Sequence, residues 1–202
     1  MNRITRLTLT LGLAAVLSAC STGNPTASRA NLPNSELESV SAVRAAPRER
    51  SFPAYITGYS FWDNTPRGSA AIARPVLRRS AGGTGTYTDP ITIAVGHVIS
   101  GGRQTLDYPA GTRFYLTKLR KYVIVEDVCG DGLRPQDGPC HSGHRGLPWL
   151  DVYIDGRRAG ETRATQCAYS FTGVQKIIMN PQPNYPVARG PITESGCRTF
   201  PT

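Results

Sequence analysis

From residue 54 onward, short runs of branched and aromatic residues alternate with turns rich in glycine and proline. The clearest run is Tyr-Val-Ile-Val at 122–125, followed at once by Glu126, Asp127, Cys129 and two glycines. An apolar run this short predicts a buried strand that delivers polar groups to a loop. Desolvation and mutual repulsion raise the pKa of one carboxylate in such a place, which suits proton transfer. The alternative is that Glu126 or Asp127 only binds backbone N–H groups or an arginine.

The same pattern predicts further strands and two more candidate carboxylates. Asp63 begins the turn after the first strand, beside Tyr59 and Trp62, and Asp151 lies on the polar side of a later strand. Aromatic rings beside a carboxylate suit a sugar, because the apolar ring face stacks on them and the carboxylate accepts hydroxyl hydrogens. The alternative is that Tyr59, Phe61 and Trp62 are partly core residues and Asp63 only starts a turn. The predicted strands lie at 54–62, 91–95, 113–116, 122–127, 150–156 and 174–179.

The N-terminus predicts export. Residues 1–19 combine a basic start with an apolar run that is too short to cross a bilayer, which is typical of a signal peptide. Leu-Ser-Ala-Cys at 17–20 resembles the lipobox of bacterial lipoproteins, so we expect lipidation of Cys20. A plain secretory signal is the alternative. Residues 20–51 lack a lasting apolar period and predict a disordered tether.

Composition and charge favour one small β-rich domain with an anionic partner. The 202 residues include 21 Gly and 16 Pro, which favours many turns over long helices. The formal net charge is +9, which outside a cytoplasm favours wall polymers or lipid head groups over nucleic acid. The glycine-rich segment 82–90 lacks the Gly-Lys-Ser/Thr ending of a phosphate loop and is interpreted as a plain loop.

Four cysteines remain once Cys20 is assigned to lipid. An even number in an exported domain predicts two disulfides, and we favour pairing of nearest neighbours. Zinc is the alternative, because His141 and His144 follow the second of these cysteines, but the spacing is too wide for a zinc knuckle. We therefore predict no metal and no cofactor. The favoured pairs are Cys129 with Cys140 and Cys167 with Cys197.

The order of these motifs resembles a known fold. The turn Pro-Ala-Gly-Thr at 109–112, a strand ending Val-Glu-Asp with Cys-Gly, and Leu-Asp-Val at 150–152 are similar to the six-stranded double-psi β-barrel of the RlpA, expansin and family 45 endoglucanase group. Gly-Gly-Thr-Gly-Thr-Tyr at 82–87 and Asp-Pro-Ile-Thr at 89–92 add to the resemblance. It implies a mainly β protein with a barrel at 52–157 and a disulfide-pinned C-terminal extension at 158–202.

The resemblance also implies residue roles. The segment containing Asp63 resembles the one that carries the catalytic base of the endoglucanases, and the segment containing Asp151 resembles the one that carries their acid. Asp127 matches the carboxylate of RlpA-type lytic transglycosylases. This chain departs from both patterns, with Trp149-Leu150 in place of a His-containing pair and Glu126 in place of an Asn.

The predicted function is that of a membrane-anchored envelope lipoprotein, monomeric, that binds or remodels a cell-wall β-glycan such as peptidoglycan or a plant-type glucan. Tyr59, Trp62 and Glu126 are the predicted glycan contacts. One alternative is an active lytic transglycosylase or glycoside hydrolase, with Asp63, Asp127 and Asp151 as catalytic groups in one groove. The other is a non-enzymatic structural or inhibitor-like lipoprotein.

Overall fold

The computed structural model describes residues 48–202 of the chain. The signal peptide, Cys20 and most of the predicted tether lie outside these residues. Within them, no helix is long and apolar enough to cross a membrane. The strands are β1 (Arg50–Tyr59), β2 (Ile91–Val95), β3 (His97–Ser100), β4 (Arg103–Leu106), β5 (Arg113–Leu116), β6 (Lys121–Val128), β7 (Trp149–Tyr153) and β8 (Gly173–Met179), and the helices are α1 (Pro139–Ser142) and α2 (Glu161–Phe171).

Six of these strands close into a barrel in the order β1-β7-β2-β6-β5-β8. Two neighbouring pairs are parallel, β1 with β7 and β2 with β6, and the other pairs are antiparallel. The mainly β, six-stranded barrel expected from the sequence is therefore confirmed. Strands β3 and β4 form a separate hairpin that connects β2 to the next barrel strand.

The branched runs fill the barrel because every residue of β2 and nearly every residue of β6 is buried. Branched side chains pack well on a pleated surface, and closure leaves no open sheet edge. Aromatic and aliphatic side chains are both among the largest buried residues. The largest fully buried side chains include Phe114, Tyr122, Tyr153, Phe171, Ile56, Ile93, Leu116 and Leu150.

The segment predicted as an extension, 158–202, supplies part of the barrel. Strand β8 pairs antiparallel with β1 on one side and with β5 on the other. The barrel therefore does not end near residue 157, and the predicted strand at 174–179 is its sixth member. The first strand also begins earlier than predicted, at Arg50, and ends at Tyr59 rather than at residue 62.

Helix α2 lies against β1 through its buried residues Ala164, Cys167 and Phe171. The approach is close: a Cβ built on Gly58 of β1 would lie 2.7 Å from the Phe171 ring. Only glycine leaves room for this ring. The bare backbone of β1 therefore sets how tightly the helix packs on the barrel.

Both predicted disulfides are present. Cys129–Cys140 ties the loop after β6 to α1, and Cys167–Cys197 ties α2 to the C-terminal segment. Because Cys140 is in a disulfide, the zinc alternative at this position is wrong. His141 instead contacts Asp107 at 2.6 Å, and His144 stacks on Tyr55.

Candidate acid and base site

A cavity of about 400 Å³ opens on the outer face of the barrel, where β1, β2, β6 and β7 lie side by side. Its lining includes four carboxylates and, among the residues that the structure describes, no Lys, Arg or His. The lining residues are Tyr59, Asp63, Asn64, Thr65, Ala71, Ile72, Ala73, Ala94, Asp127, Val128, Cys129, Gly130, Asp131 and Asp151. The three predicted catalytic carboxylates therefore share one cavity.

Strand register explains how two of them meet although they are far apart in sequence. Ala94 pairs with Asp127 across the β2–β6 ladder and with Asp151 across the β2–β7 ladder. Directly paired residues point to the same face of a sheet. Adjacent strands are about 4.8 Å apart, so the two aspartate Cα atoms lie about 10 Å apart with a small alanine between them.

Asp127 is held by three donors. Its Oδ2 accepts from the Tyr59 hydroxyl at 2.8 Å, and its Oδ1 accepts from the backbone N–H groups of Ala73 at 3.0 Å and Val128 at 2.9 Å. Burial raises the pKa of Asp127 above its ordinary value, and these hydrogen bonds oppose that rise. Burial and the nearby Asp127 raise the pKa of Tyr59, so its hydroxyl keeps its proton and donates.

Asp151 has a different environment. It is partly buried, and its Oδ1 accepts a single hydrogen bond at 2.6 Å, from the Thr57 hydroxyl of the neighbouring strand. Burial raises its pKa to about 7, with smaller contributions from the charges of Asp63 and Asp127. Asp151 therefore holds a proton at a pH where ordinary aspartates are ionised.

The orientation of Thr57 is itself fixed. The indole N–H of Trp149 donates to Thr57 Oγ at 2.8 Å, so the single hydroxyl hydrogen of Thr57 remains for Asp151. A proton on Asp151 then belongs on Oδ2, because Oδ1 is accepting. Trp149, where this chain departs from the His-containing pattern, therefore orients the hydroxyl group that donates to Asp151.

The two remaining carboxylates lie at the rim. Asp63 is exposed, and its Oδ1 accepts from the backbone N–H and the hydroxyl of Ser60, at 2.7 and 2.6 Å. It also lines a neighbouring cavity of about 260 Å³ between β1 and α2, together with Tyr55 and Tyr169. Asp131 accepts from Thr65 at 3.2 Å. Asp63 therefore lies where the two adjacent cavities meet, whereas Asp131 lines only the larger one.

Of the three predicted glycan contacts, only Tyr59 lines the cavity. Trp62 is absent from the cavity lining, and its indole N–H donates to the Gly156 carbonyl at 2.9 Å. Tyr59 is in the lining but only 8% exposed, so it offers a hydroxyl rather than a stacking surface. Strand β1 ends at Tyr59, so Trp62 lies in the following turn rather than in the strand that was predicted to carry both aromatics.

Glu126 does not reach the cavity either, because it is completely buried. Its Oε1 accepts from the backbone N–H groups of residues 76–78, at 3.3, 2.6 and 3.2 Å, and Oε2 accepts from Thr92 at 3.1 Å. The alternative that Glu126 only binds backbone N–H groups is therefore the one that the structure supports. Glu126 anchors the loop whose nearby residue Ala73 donates to Asp127.

Three residues of the two cavities and their hydrogen bonds were not predicted from the sequence: Thr57, Asp131 and Tyr55. Thr57 and Tyr55 lie two and four residues before Tyr59, so strand alternation places all three on one face. Asp131 follows Asp127 in the Cys-Gly-Asp-Gly turn. Within residues 48–202, no group of three or more His, Cys, Asp or Glu side chains is placed to hold a metal ion.

The fold and the cavity define a small closed β-barrel protein with two carboxylates in contrasting environments. The chain belongs to the family described as the DDB_G0273701 N-terminal domain, whose model matches residues 51–198. A relative from Dictyostelium discoideum, the uncharacterized protein DDB_G0273701/DDB_G0273221, is 31% identical over 140 residues. The match covers 69% of this chain and 55% of that protein, so the chain spans little more than half the length of its relative. No solved structure matches the chain.

Proposed function

We propose that this protein is an exported, lipid-anchored envelope protein whose barrel cleaves a cell-wall β-glycan by acid and base catalysis. The observation that carries the proposal is the pairing of Asp127 and Asp151 on either side of Ala94, facing one cavity. The resemblance to the RlpA, expansin and endoglucanase barrels suggests the substrate class. Lipidation at Cys20 would keep the site at a membrane surface near the wall.

The different environments of Asp151 and Asp127 determine which of them acts as acid and which as base. Asp151, with a pKa raised to about 7 and one donor, is the general acid that protonates the glycosidic oxygen from Oδ2. Asp127, which accepts three hydrogen bonds, is the carboxylate that takes up a proton. Burial raises the pKa of both carboxyl groups, but three hydrogen bonds oppose the rise at Asp127 and only one opposes it at Asp151. Unequal environments of this kind are how glycosidases separate acid from base.

The reaction follows from these roles. As the glycosidic C–O bond breaks, Asp151 gives its proton to the leaving oxygen, and Asp127 removes a proton from the attacking nucleophile. A water molecule as nucleophile gives hydrolysis with inversion, for which carboxyl groups about 6.5–9.5 Å apart leave room. A hydroxyl of the cleaved sugar as nucleophile gives an anhydro product instead.

The cavity favours cleavage over passive binding. A binding module that relies on stacking needs exposed aromatic rings, and in the part of the chain that the structure describes Tyr59 is the one aromatic residue in the lining. A carboxyl group whose pKa is raised to about 7 is not required in a site that only stacks sugars. Perturbed carboxyl pKa values in a cleft are typical of catalysis.

The test incubates full-length protein with purified peptidoglycan and with a soluble β-glucan, and analyses released fragments by mass spectrometry. We expect fragments from the wild type and none from Asp127→Asn or Asp151→Asn. Asp131→Asn, which changes an exposed carboxylate of the same cavity, is the matched control and should retain activity. Sedimentation with the glycan but no fragments from the wild type would refute cleavage and support the binding alternative.

A further inference from the structure

Strand β6 carries a second unusual charge at its opposite end. Lys121, the first residue of β6, is only 3% exposed, and its ammonium group donates to the backbone carbonyl of Gly190. Asp127 lies six residues further along the strand, about 20 Å away at about 3.3 Å per residue. This lysine is therefore distant from the acidic cavity and has no part in the proposed cleavage.

No counter-ion for Lys121 appears among residues 48–202. It takes part in none of the ion pairs formed there, and burial alone accounts for its pKa, which falls to about 8. A group with that pKa still carries its charge at neutral pH. An ammonium group has three N–H donors, and a single protein acceptor receives one of them.

A buried, unpaired charge is costly, and proteins normally pair it or neutralise it. Beside Lys121 lies a small cavity of about 50 Å³, with the exposed residues Arg189 and Arg198 at its mouth. No carboxylate lines it among the described residues. The full lining is Leu119, Lys121, Ala188, Arg189, Ile192, Ser195 and Arg198.

The walls of this cavity are tied in place. Cys197 is bonded to Cys167 of α2, and the backbone of residues 190–197 is closed by turns such as the Cys197 N–H to Ile192 carbonyl bond at 2.9 Å. The Arg198 guanidinium lies 5.3 Å from the centre of the Phe200 ring, within the range of a cation–π contact. The basic groups therefore surround a preformed space.

We propose that this cavity binds one small oxyanion, with the Lys121 ammonium at its base and the guanidinium groups of Arg189 and Arg198 at its mouth. The anion supplies acceptors for the free N–H groups of Lys121 and balances its buried charge. A volume of about 50 Å³ admits a single carboxylate or phosphate group but not a sugar ring. The site takes a free ion or one charged group of a larger molecule.

Thermal unfolding of the full-length protein tests this. Inorganic phosphate and acetate are each added at constant ionic strength, set with potassium chloride. An ion that binds only the folded protein should raise Tm by about 3–6 °C at about ten times its Kd. The phosphate and acetate arms identify which oxyanion geometry the cavity accepts. No rise with either ion would overturn the proposal.

Variants separate this site from general salt effects. Lys121→Met keeps the side-chain length and removes the charge, so the rise in Tm should disappear, whereas Lys176→Met, on the exposed side of β8, should leave it intact. If Lys121→Met does not fold, Arg189→Gln with Arg198→Gln should weaken the effect at least several-fold. An undiminished ion effect in Lys121→Met or in the double variant would refute the site.

Discussion

Replacing Asp151 with asparagine tests the electrostatic basis of the proposed acid. Asparagine has nearly the same shape, and its side-chain oxygen can still accept from Thr57. The change replaces the ionisable carboxyl oxygen by an amide NH2 group, which carries no charge and cannot act as a general acid. We therefore expect Asp151→Asn to abolish glycan cleavage and, at alkaline pH, to make the protein more stable than the wild type.

The size and sign of the stability change follow from the pKa. Burial raises the pKa of Asp151 from 3.8 to about 7, and each pKa unit corresponds to about 1.4 kcal/mol. Below pH 3.8 the carboxyl is protonated in both folded and unfolded chains, so it adds no penalty. Between pH 3.8 and 7 the unfolded chain releases the proton first, so stability falls as pH rises. Above pH 7 the penalty is constant, at most about 4 kcal/mol.

Urea unfolding at pH 4 and pH 8 measures this difference. Wild type and Asp151→Asn should have similar free energies of unfolding at pH 4, and the variant should be more stable by about 2–4 kcal/mol at pH 8. Asp131→Asn, in the same cavity but exposed, is the control and should show little pH-dependent gain. An equal effect of Asp151→Asn at both pH values would refute the raised pKa and the acid role built on it.

The remaining predictions concern neighbouring residues and the lipid anchor. Thr57→Val removes the hydroxyl donor and should raise the pKa of Asp151, so the alkaline limb of the kcat/KM profile should move to higher pH. Thr57→Ser should keep the wild-type profile, and identical profiles for the two variants would contradict the role of the hydrogen bond. Glu126→Ala strands three backbone N–H groups and should lower the free energy of unfolding by about 3–5 kcal/mol in urea, and a loss under about 1 kcal/mol would count against its anchoring role. Cys20→Ser should block cleavage of the precursor and labelling with palmitate, and normal processing would exclude the lipobox interpretation.

The sequence predicted the strands best where local pattern and tertiary environment agree. Ile91–Val95 and Arg113–Leu116 are strands as expected, because short branched or aromatic runs between turns have few other ways to be buried. Disulfide pairing was also predictable, because each pair is the nearest available in sequence. Strand identity thus depended on local information that the sequence contains.

Features that depend on the tertiary structure were harder to predict from the sequence. Helix α2 was not predicted, although Ala164, Cys167 and Phe171 recur at helical spacing, because its threonines, serine and tyrosine have low helix propensity. The role of β8 in closing the barrel depends on partners more than 50 residues away on both sides. Register of this kind is set by closure of the whole barrel and leaves no local mark in the chain.

One irregularity explains why two adjacent carboxylates have unrelated roles. Along β2 and β6, Ile93 pairs with Val125 but the next residue, Ala94, pairs with Asp127, so Glu126 is the extra residue of a bulge. A bulge re-aims side chains and often lies next to an active site. It leaves Glu126 with the loop at 76–78, while Asp127 takes the paired position facing Asp151 across Ala94. Without the bulge, Ala94 would pair with Glu126 instead of Asp127. A residue larger than Ala94 would fill the space between Asp127 and Asp151. The bulge and the alanine together therefore create the site, and neither is visible as a motif in the sequence.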